Sequence, residues 1–326
     1  MRDFLAKKVK DIKPSGIRKF FDIASEIEGA ISLGVGEPDF DTPWHIREEG
    51  IYSLEQGKTI YTSNAGLKEL RMEICSYMNR KYGLEYAWDK NVLVTVGGSE
   101  AIDVALRSMV EPGDEVIIPS PCYVSYEPCA VLAGAVVKTI PLKNENEFRL
   151  TPQELEEAIT PRSKILILNY PNNPTGAIME RKDLEAIAEV ILRHDLFVIS
   201  DEIYAELSYL KRHESIAAIE GMKERCLVIN GFSKTFSMTG WRLGYACGPE
   251  EILKQMTKIH QFAIMCAPTT SQYAAVEALK NGDRSVEGMR EAYNERRRYV
   301  VYRLREMGLP CFMPQGAFYV LSLIHI

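Results

Sequence analysis

The sequence predicts an α/β protein with a large domain built on a mostly parallel sheet and a smaller second domain. Short apolar runs alternate with segments of helical period, the pattern of strands joined by helices. Five runs have the length and composition of strands: 92–96, 115–118, 164–168, 196–200 and 227–230. A polar or glycine-rich motif comes at the end of each run, which is typical of a ligand site at the carboxyl ends of parallel strands.

Helices are predicted between these strands from the spacing of apolar residues. In 99–109 and again in 181–194, apolar residues recur every three or four positions and share one face. Thr151-Pro-Gln-Glu154 is a capping box with proline at the first helical position, so another helix begins there. The charged segment 285–307 predicts a long helix, and 310–320 then returns to a strand-like pattern.

The predicted organisation has three parts and a tail. An N-terminal arm with part of the small domain covers 1–45, the large domain covers 46–284, and 285–320 begins the rest of the small domain. The last six residues, Leu-Ser-Leu-Ile-His-Ile, match the translation of a transposon adapter used in sequencing libraries. A genuine alternating strand end is the alternative. We interpret 321–326 as a non-native tail of a truncated gene product and exclude it from the fold.

The composition is that of a globular protein and argues against several functional classes. Of 326 residues, 46% are hydrophobic and 26% are charged, and the formal net charge is −6. No apolar run approaches the roughly 20 residues of a membrane-spanning helix, and the mildly acidic balance gives no support to a nucleic-acid partner. Seven cysteines without a Cys-x-x-Cys pair and five scattered histidines predict a reduced, cytoplasmic protein without a structural metal.

The most specific motif is Gly231-Phe-Ser-Lys-Thr-Phe-Ser-Met-Thr-Gly-Trp-Arg-Leu-Gly-Tyr245. A lysine directly after a strand, in an apolar setting, can lose its proton and act as an amine nucleophile, which makes Lys234 a candidate catalytic residue. The guanidinium of Arg242 can clamp a phosphate with two parallel hydrogen bonds. A solvated loop is the alternative, but two phenylalanines, a methionine and a tryptophan in the same motif would be unusual on an exposed surface.

A second strand end offers a phosphate site. Gly98 and Ser99 follow the first predicted strand and open a helix, whose free N–H groups and positive dipole end favour an anion. An ordinary serine cap explains Ser99 equally well at the local level.

Two more strand ends supply groups that suit a heteroaromatic ring. Asp201 ends an apolar strand, and a carboxylate there is costly unless it meets a cation such as a protonated pyridine nitrogen. Tyr204 and the amide of Asn173 could donate to a ring oxygen, and Tyr123 could lie against the ring face. Taken singly, each tyrosine is more often a packing residue.

These residues belong to motifs that closely resemble those of the class I/II aminotransferases of pyridoxal-phosphate fold type I. The likeness runs from about residue 14 to 320 and is closest to bacterial aspartate-aminotransferase-like and N-acetyl-diaminopimelate aminotransferase-like enzymes. The matching phrases are Gly36-Glu-Pro-Asp-Phe-Asp-Thr-Pro43, Tyr61-Thr-Ser-Asn-Ala-Gly66, Pro171-Asn-Asn-Pro-Thr-Gly176, Ser200-Asp-Glu-Ile-Tyr204 and Gly240-Trp-Arg-Leu-Gly-Tyr245. The resemblance implies a three-layer α/β/α large domain and amino transfer between an amino acid and a 2-oxo acid.

The resemblance also implies pyridoxal 5′-phosphate as cofactor and gives each site residue a role. Lys234 should carry the cofactor covalently, Asp201 should pair with its pyridine nitrogen, and these two with Tyr204 form the implied catalytic set. The residues implied to contact the ring or its phosphate are Gly98, Ser99, Tyr123, Asn173, Tyr204, Ser233 and Arg242. A β-lyase or decarboxylase of the same fold stays an alternative, because the cofactor residues are shared.

Further implied contacts involve the substrate and a second subunit. The backbone of Gly36 should lie with Asn173 against the substrate carboxylate, and Tyr61 should reach the phosphate of a neighbouring subunit, which implies a homodimer. Two departures are visible. Gly231 replaces a serine or threonine of many relatives, and the arginine that binds the substrate carboxylate falls beyond Ile326. We therefore expect solvated arginines in 285–305 and a substrate side that the chain leaves open.

Overall fold

Seven strands form a single sheet in the computed structural model, which describes residues 2–14, 23, 26, 27, 29, 34 and 36–322. The strands are β1 Val92–Thr95, β2 Glu115–Ser120, β3 Val136–Pro141, β4 Ser163–Asn169, β5 Phe197–Asp201, β6 Cys226–Gly231 and β7 Gly244–Cys247. Their order in the sheet is β1-β7-β6-β5-β4-β2-β3. All five strands predicted from the sequence are confirmed within two residues at each end.

Helices lie between most of the strands, and a long one follows the sheet. They are α1 Lys7–Lys10, α2 Trp44–Glu55, α3 Lys68–Tyr82, α4 Gly97–Met109, α5 Tyr126–Ala133, α6 Pro152–Ala158, α7 Arg181–Arg193, α8 Phe232–Thr235, α9 Glu250–Ile264, α10 Thr269–Asn281 and α11 Asp283–Glu306. Short 3₁₀ turns are Asn144–Asn146, Ile216–Ala218, Lys223–Arg225 and Thr239–Trp241. The predicted capping box is confirmed, since Thr151 accepts from the Glu154 amide at the start of α6.

Alternating side chains of the strands enter two separate cores, one on each face of the sheet. Val94 of β1 and Val198 of β5 pack on one face, in a core that includes side chains of α3, α7 and α10. Leu93 and Ile199, their immediate neighbours, pack on the other face with side chains of α4, α5 and α9. The period of two along each strand thus gives three layers, helices on both faces of a sheet.

The strand directions bring the predicted motifs to one edge of the sheet. β3, β2, β4, β5 and β6 are mutually parallel, whereas β7 is antiparallel to both β6 and β1. Because β1 and β6 are both antiparallel to β7, they run in the same direction. The carboxyl ends of all five predicted strands therefore meet at the same edge, as the placement of their motifs indicates.

Residues 310–320 correct one prediction, because they form no strand. Their backbone makes two isolated bridges, Ser208 to Gly316 and Cys311 to Ser322, rather than a ladder. Ala317 has a φ of +53°, a left-handed conformation that interrupts an extended run. The segment instead lies against the loop after β5, where the Ala317 amide donates to the carbonyl of Leu207.

The long charged helix is confirmed as α11, with one exception to the expected solvation of its arginines. Arg297 is buried, and its guanidinium donates to the carbonyl of Pro314 over 2.7 Å and to Asn294. Its neighbour Arg296 is partly exposed and pairs with Asp39. The division into domains at 45 and 284 stays a prediction, and the end of the tail, 323–326, lies outside the described residues.

Within the described ranges, no helix combines the length and the apolar character needed to cross a bilayer. Over the same residues, no group of three or more histidine, cysteine, aspartate or glutamate side chains is arranged to hold a metal ion.

Candidate active site

A cavity of about 570 Å³ opens at the sheet edge where the predicted motifs meet. It brings together residues that are scattered over two hundred positions of the sequence. The predicted site residues that line it are Gly36, Gly98, Ser99, Tyr123, Asn173, Asp201, Tyr204, Ser233, Lys234 and Arg242. Tyr61 is the one predicted site residue outside it, and its side chain is 79% exposed.

Lys234 enters the cavity from the four-residue helix α8, directly after β6. Its ammonium donates a hydrogen bond to the carbonyl oxygen of Gly36. The rings of Tyr204 and Phe318 lie 6.0 and 5.7 Å from the nitrogen. Burial, helped by the nearby charge of Arg242, lowers the pKa of Lys234 to about 8. Half of the amine is therefore neutral near pH 8, a far larger share than an ordinary lysine has there, and the neutral form is the nucleophile.

Asp201 lies at the end of β5, one strand away from Lys234. Its side chain is only 5% exposed, and burial raises the pKa of its carboxyl group to about 6. Tyr126 of α5 donates to Oδ2 over 2.6 Å, and the backbone amide of Ile203 donates to Oδ1 over 3.2 Å. A buried, ionisable carboxylate at the back of the cavity can bind a protonated nitrogen of a ligand.

Asn169 connects two of the strand-end motifs. It is the register partner of Asp201 across β4 and β5. Its Nδ2 donates to the backbone carbonyl of Asp201 over 3.2 Å, and its Oδ1 accepts from the backbone N–H of Asn173 over 2.9 Å. One buried side chain thus fixes the backbone that presents Asp201 and the turn that presents Asn173.

Gly98 and Ser99 form one wall of the cavity at the first turn of α4, and Arg242 faces them. A Cβ atom placed on Gly97 would lie 2.7 Å from Nη2 of Arg242. The missing side chain therefore allows the guanidinium to approach the helix terminus. A hydrogen bond also orients the Arg242 guanidinium, because its Nη1 donates to the Thr239 carbonyl over 3.0 Å. A helix N-terminus, a serine hydroxyl and a guanidinium facing one space fit a phosphate group.

Gly244 of β7 supports this cradle, and substituting it tests the support. An added Cβ would lie 2.6 Å from both the Gly97 carbonyl carbon and the Gly98 nitrogen, which are backbone atoms. We expect Gly244→Ala to lower the free energy of unfolding by about 1–3 kcal/mol through overpacking. The same clash would displace the backbone of the cradle. A loss of binding free energy of similar size would weaken binding of a phosphorylated ligand by roughly fivefold to 150-fold.

Thermal unfolding and the dissociation constant of a phosphorylated ligand measure these two effects. Gly240→Ala is the matched control, because an added Cβ there would meet nothing within 4 Å. Equal behaviour of the two variants would contradict the role of Gly244.

Tyr319 partly covers the side of the cavity near Gly36, which corrects the expectation of an open substrate side. Tyr319 reaches the cavity, and its hydroxyl hydrogen-bonds that of Tyr204 over 2.5 Å. A Cβ on Gly36 would collide with the Tyr319 hydroxyl. Among the described residues that line the cavity, the cations are Lys234 and Arg242 alone, so no guanidinium of α11 lines it.

Sequence reasoning missed three residues of the site: Tyr126, Asn169 and Tyr319. Tyr126 stands three positions after Tyr123, a helical spacing that places both on one side of α5 and its preceding turn. Asn169 directly follows the predicted strand 164–168 and lies two residues before the Pro171–Gly176 motif, a position that could have suggested a role at the site. Tyr319 belongs to a segment interpreted as a strand, whose contact with Tyr204 spans 115 residues of sequence.

Comparison with known proteins agrees with this geometry. The family model described as aminotransferase class I and II matches residues 28–325. A Bacillus subtilis protein, YugH, named as an aminotransferase, is 51% identical over 98% of this chain and 83% of its own length. Aromatic-amino-acid aminotransferase 2 of Thermococcus litoralis is 46% identical over 97% of this chain and 82% of its own.

A solved structure, aspartate aminotransferase from Thermus thermophilus with maleate, superposes with a TM-score of 0.94. It is 40% identical, and the alignment covers 99% of this chain and 85% of that one. The chain therefore belongs to the class I and II aminotransferase family.

Proposed function

We propose that this aminotransferase works with pyridoxal 5′-phosphate bound in the described cavity, and that its substrates are small amino acids and 2-oxo acids. The observation that supports it most strongly is the convergence of Lys234, Asp201 and the anion cradle on one space. The cavity offers a lysine amine for a carbonyl, a buried carboxylate for a ring nitrogen and a cradle for a phosphate. These three requirements belong to one small molecule, and the residues present fit it.

The proposed roles follow from the positions of the side chains. When bound, the cofactor supplies an electron-withdrawing ring that stabilises negative charge at the substrate Cα. Lys234 would hold the cofactor covalently, and its amine, once released by the substrate amine, would take the proton from Cα and deliver it to the cofactor carbon. Asp201 holds positive charge at the back of the ring site.

The remaining lining residues bind and orient. Gly98, Ser99, Ser233 and Arg242 would hold the phosphate. Tyr204 and Asn173 would donate to the ring oxygen, and Tyr123 would pack against the ring. Gly36 and Asn173 would bind the substrate carboxylate.

Product analysis tests amino transfer against the β-lyase or decarboxylase alternative. The purified protein, supplied with cofactor, an amino-acid donor and a 2-oxo-acid acceptor, should form the 2-oxo acid of the donor and the amino acid of the acceptor in equal amounts. Omission of the acceptor should stop the reaction after one equivalent. Continued release of ammonia or carbon dioxide without an acceptor would show the alternative to be correct.

The lowered pKa of Lys234 predicts the pH dependence of cofactor loading. The neutral amine is the reactive form, so the rate of covalent loading should rise with pH, reach half its maximum near pH 8 and level off above it. Stopped-flow absorbance gives this rate, and mass spectrometry of the trapped protein identifies the residue. An ordinary lysine has a pKa of about 10.4, so a rate still rising at pH 10 would contradict the prediction.

We also propose a homodimer, because an exposed apolar surface surrounds Tyr61. We call it the Tyr61 surface; it consists of Ile60, Tyr61, Phe262 and Met265. Two hydrogen bonds hold its halves together, from Thr269 to the Ile60 carbonyl and from Asn64 to the Met265 carbonyl. A patch this apolar is typical of a subunit interface. A second copy of the chain bound to the Tyr61 surface would bring Tyr61 close to the phosphate cradle of that copy.

Phe262→Asp tests the dimer, since the phenylalanine is 85% exposed and the change places a charge within the Tyr61 surface. Sedimentation should give a dimer for the unmodified chain and a monomer for the variant, with weaker cofactor binding because Tyr61 is lost from the partner's site. Tyr302→Asp, an exposed aromatic of α11, is the control and should stay dimeric. A monomeric unmodified chain would contradict the proposal.

A cytoplasmic location completes the proposal. All seven cysteines are free thiols, and burial raises the pKa of Cys122 beside the cavity to about 11, so it stays protonated. This pattern is typical of proteins kept in a reducing compartment.

A further inference from the structure

Tyr126 and Asp201 form a buried hydrogen bond at the back of the cavity. The tyrosine hydroxyl donates to Oδ2 over 2.6 Å, although 75 residues of sequence separate the two. The length lies in the range of charge-assisted O–H···O⁻ hydrogen bonds, which are roughly twice as strong as neutral ones. Burial raises the pKa of Tyr126 well above its usual value, so the hydroxyl keeps its proton and acts as a donor.

We propose that Tyr126 is a positioning residue for the reaction: it holds the Asp201 carboxylate ionised and oriented to receive the protonated ring nitrogen of the cofactor. This inference rests on the proposed function, because it assigns a partner to the carboxylate that the function requires.

The orientation of Asp201 follows from its two donors. Ile203 donates its backbone N–H to Oδ1 and Tyr126 donates its hydroxyl to Oδ2, so each oxygen has its own partner. A carboxyl group that accepts a hydrogen bond at both oxygens is favoured in the ionised form, because a proton on Oδ2 would face the tyrosine hydroxyl hydrogen. Loss of the tyrosine hydroxyl would leave Oδ2 without this partner and the side chain freer to rotate.

The charge of Asp201 is under opposing influences. Burial and the nearby Glu202 favour the neutral acid, whereas the hydrogen bonds from Tyr126 and Ile203 and the charge of Lys234 favour the carboxylate. Tyr204, Cys122 and Tyr123 also face the pair. Tyr204 and Cys122 stay neutral because burial raises the pKa of each. Removing the tyrosine hydroxyl therefore moves the pKa of Asp201 further upward, toward neutral pH.

Packing and hydrogen bonding by Tyr126 can be separated experimentally. Its ring is buried and packs edge-on against Tyr123, with centroids 5.5 Å apart. Phenylalanine keeps that ring and removes only the hydroxyl. Tyr86→Phe is the matched control, because the Tyr86 hydroxyl is also buried but has no hydrogen-bond partner in the described part of the chain.

The test measures cofactor binding rather than turnover. The dissociation constant of pyridoxal 5′-phosphate is determined from pH 5.5 to 8.5, and ¹⁵N NMR of ring-labelled cofactor reports protonation of its nitrogen. Binding a protonated ring requires the ionised carboxylate, so affinity should fall as the pH drops through the pKa of Asp201. In Tyr126→Phe this fall should begin about one to two pH units higher. The ionised fraction of Asp201 at pH 7 would then drop, so affinity there should be about twofold to tenfold weaker, and the nitrogen resonance should move toward that of a neutral pyridine.

The outcomes separate this inference from the proposed function. Failure of the unmodified protein to bind the cofactor, or an unprotonated ring in it, would overturn the proposed function. Normal binding in Tyr126→Phe, with the same pH profile and the same nitrogen resonance, would overturn only the inference. Weaker binding with an unchanged pH profile and an unchanged resonance would also overturn it, because that result indicates a role in packing alone. In an Asp201→Asn background, Tyr126→Phe should change neither readout further, and a full additional loss there would show that Tyr126 does not act through Asp201.

Discussion

Replacing Lys234 by alanine is expected to abolish both covalent cofactor binding and turnover. The side chain is the amine whose pKa burial lowers to about 8, and it lies at the centre of the cavity. Its loss removes both the nucleophile and the group that moves the Cα proton, because one amine has both roles. Since acid–base catalysis by itself contributes about 10²- to 10⁴-fold, turnover should fall by more than about 10⁴-fold.

Absorbance of the bound cofactor and a steady-state assay measure this effect. Lys254→Ala, which removes an exposed lysine paired with Glu250, is the control and should load and turn over normally. Turnover of Lys234→Ala at the level of the unmodified protein would show that another residue carries the cofactor.

Replacing Asp201 by alanine is expected to leave cofactor detectable while catalysis falls by orders of magnitude. The phosphate cradle and Lys234 still bind the cofactor, but no carboxylate keeps its ring nitrogen protonated, so electron withdrawal is lost. Removing one partner of a buried ion pair costs about 3–5 kcal/mol, which corresponds to a rate loss of roughly 10²- to 10⁴-fold.

Single-turnover kinetics with the cofactor bound isolate this effect from affinity. Asp201→Asn, which keeps the volume of the side chain, should behave like the alanine variant, because charge and not packing is lost. Asp195→Asn is the surface control: it removes a carboxylate that is exposed and pairs with Arg225. Unchanged catalysis in Asp201→Ala would mean that some other group protonates the ring.

Much of the fold could be predicted because the relevant signals are local. Strands β1, β2, β4, β5 and β6 are apolar runs buried along most of their length, and such runs are visible in any short window. β3 and β7 were missed. β3 is largely exposed and contains Lys138, and β7 has four residues and lies at the end of a glycine-rich motif.

The residues of the site divide in the same way. Lys234 and Asp201 could be predicted to line the cavity because each lies at or just after a strand end, and Arg242 because it belongs to the same specific motif as Lys234. Tyr126 and Tyr319 were not found, because an aromatic residue in an apolar segment has the same local pattern whether it packs or binds.

What the sequence by itself determined is five of the seven strands, the edge of the sheet at which their motifs meet and the lysine that enters the cavity. These depend on periodicity and on chemistry within a few residues. The tertiary structure alone decided which donor meets Asp201, how far burial moves the pKa values of Asp201 and Lys234, and that Tyr319 closes over Gly36. The physical reason is that hydrogen bonding and desolvation depend on what surrounds a group in space, and those neighbours come from distant parts of the chain.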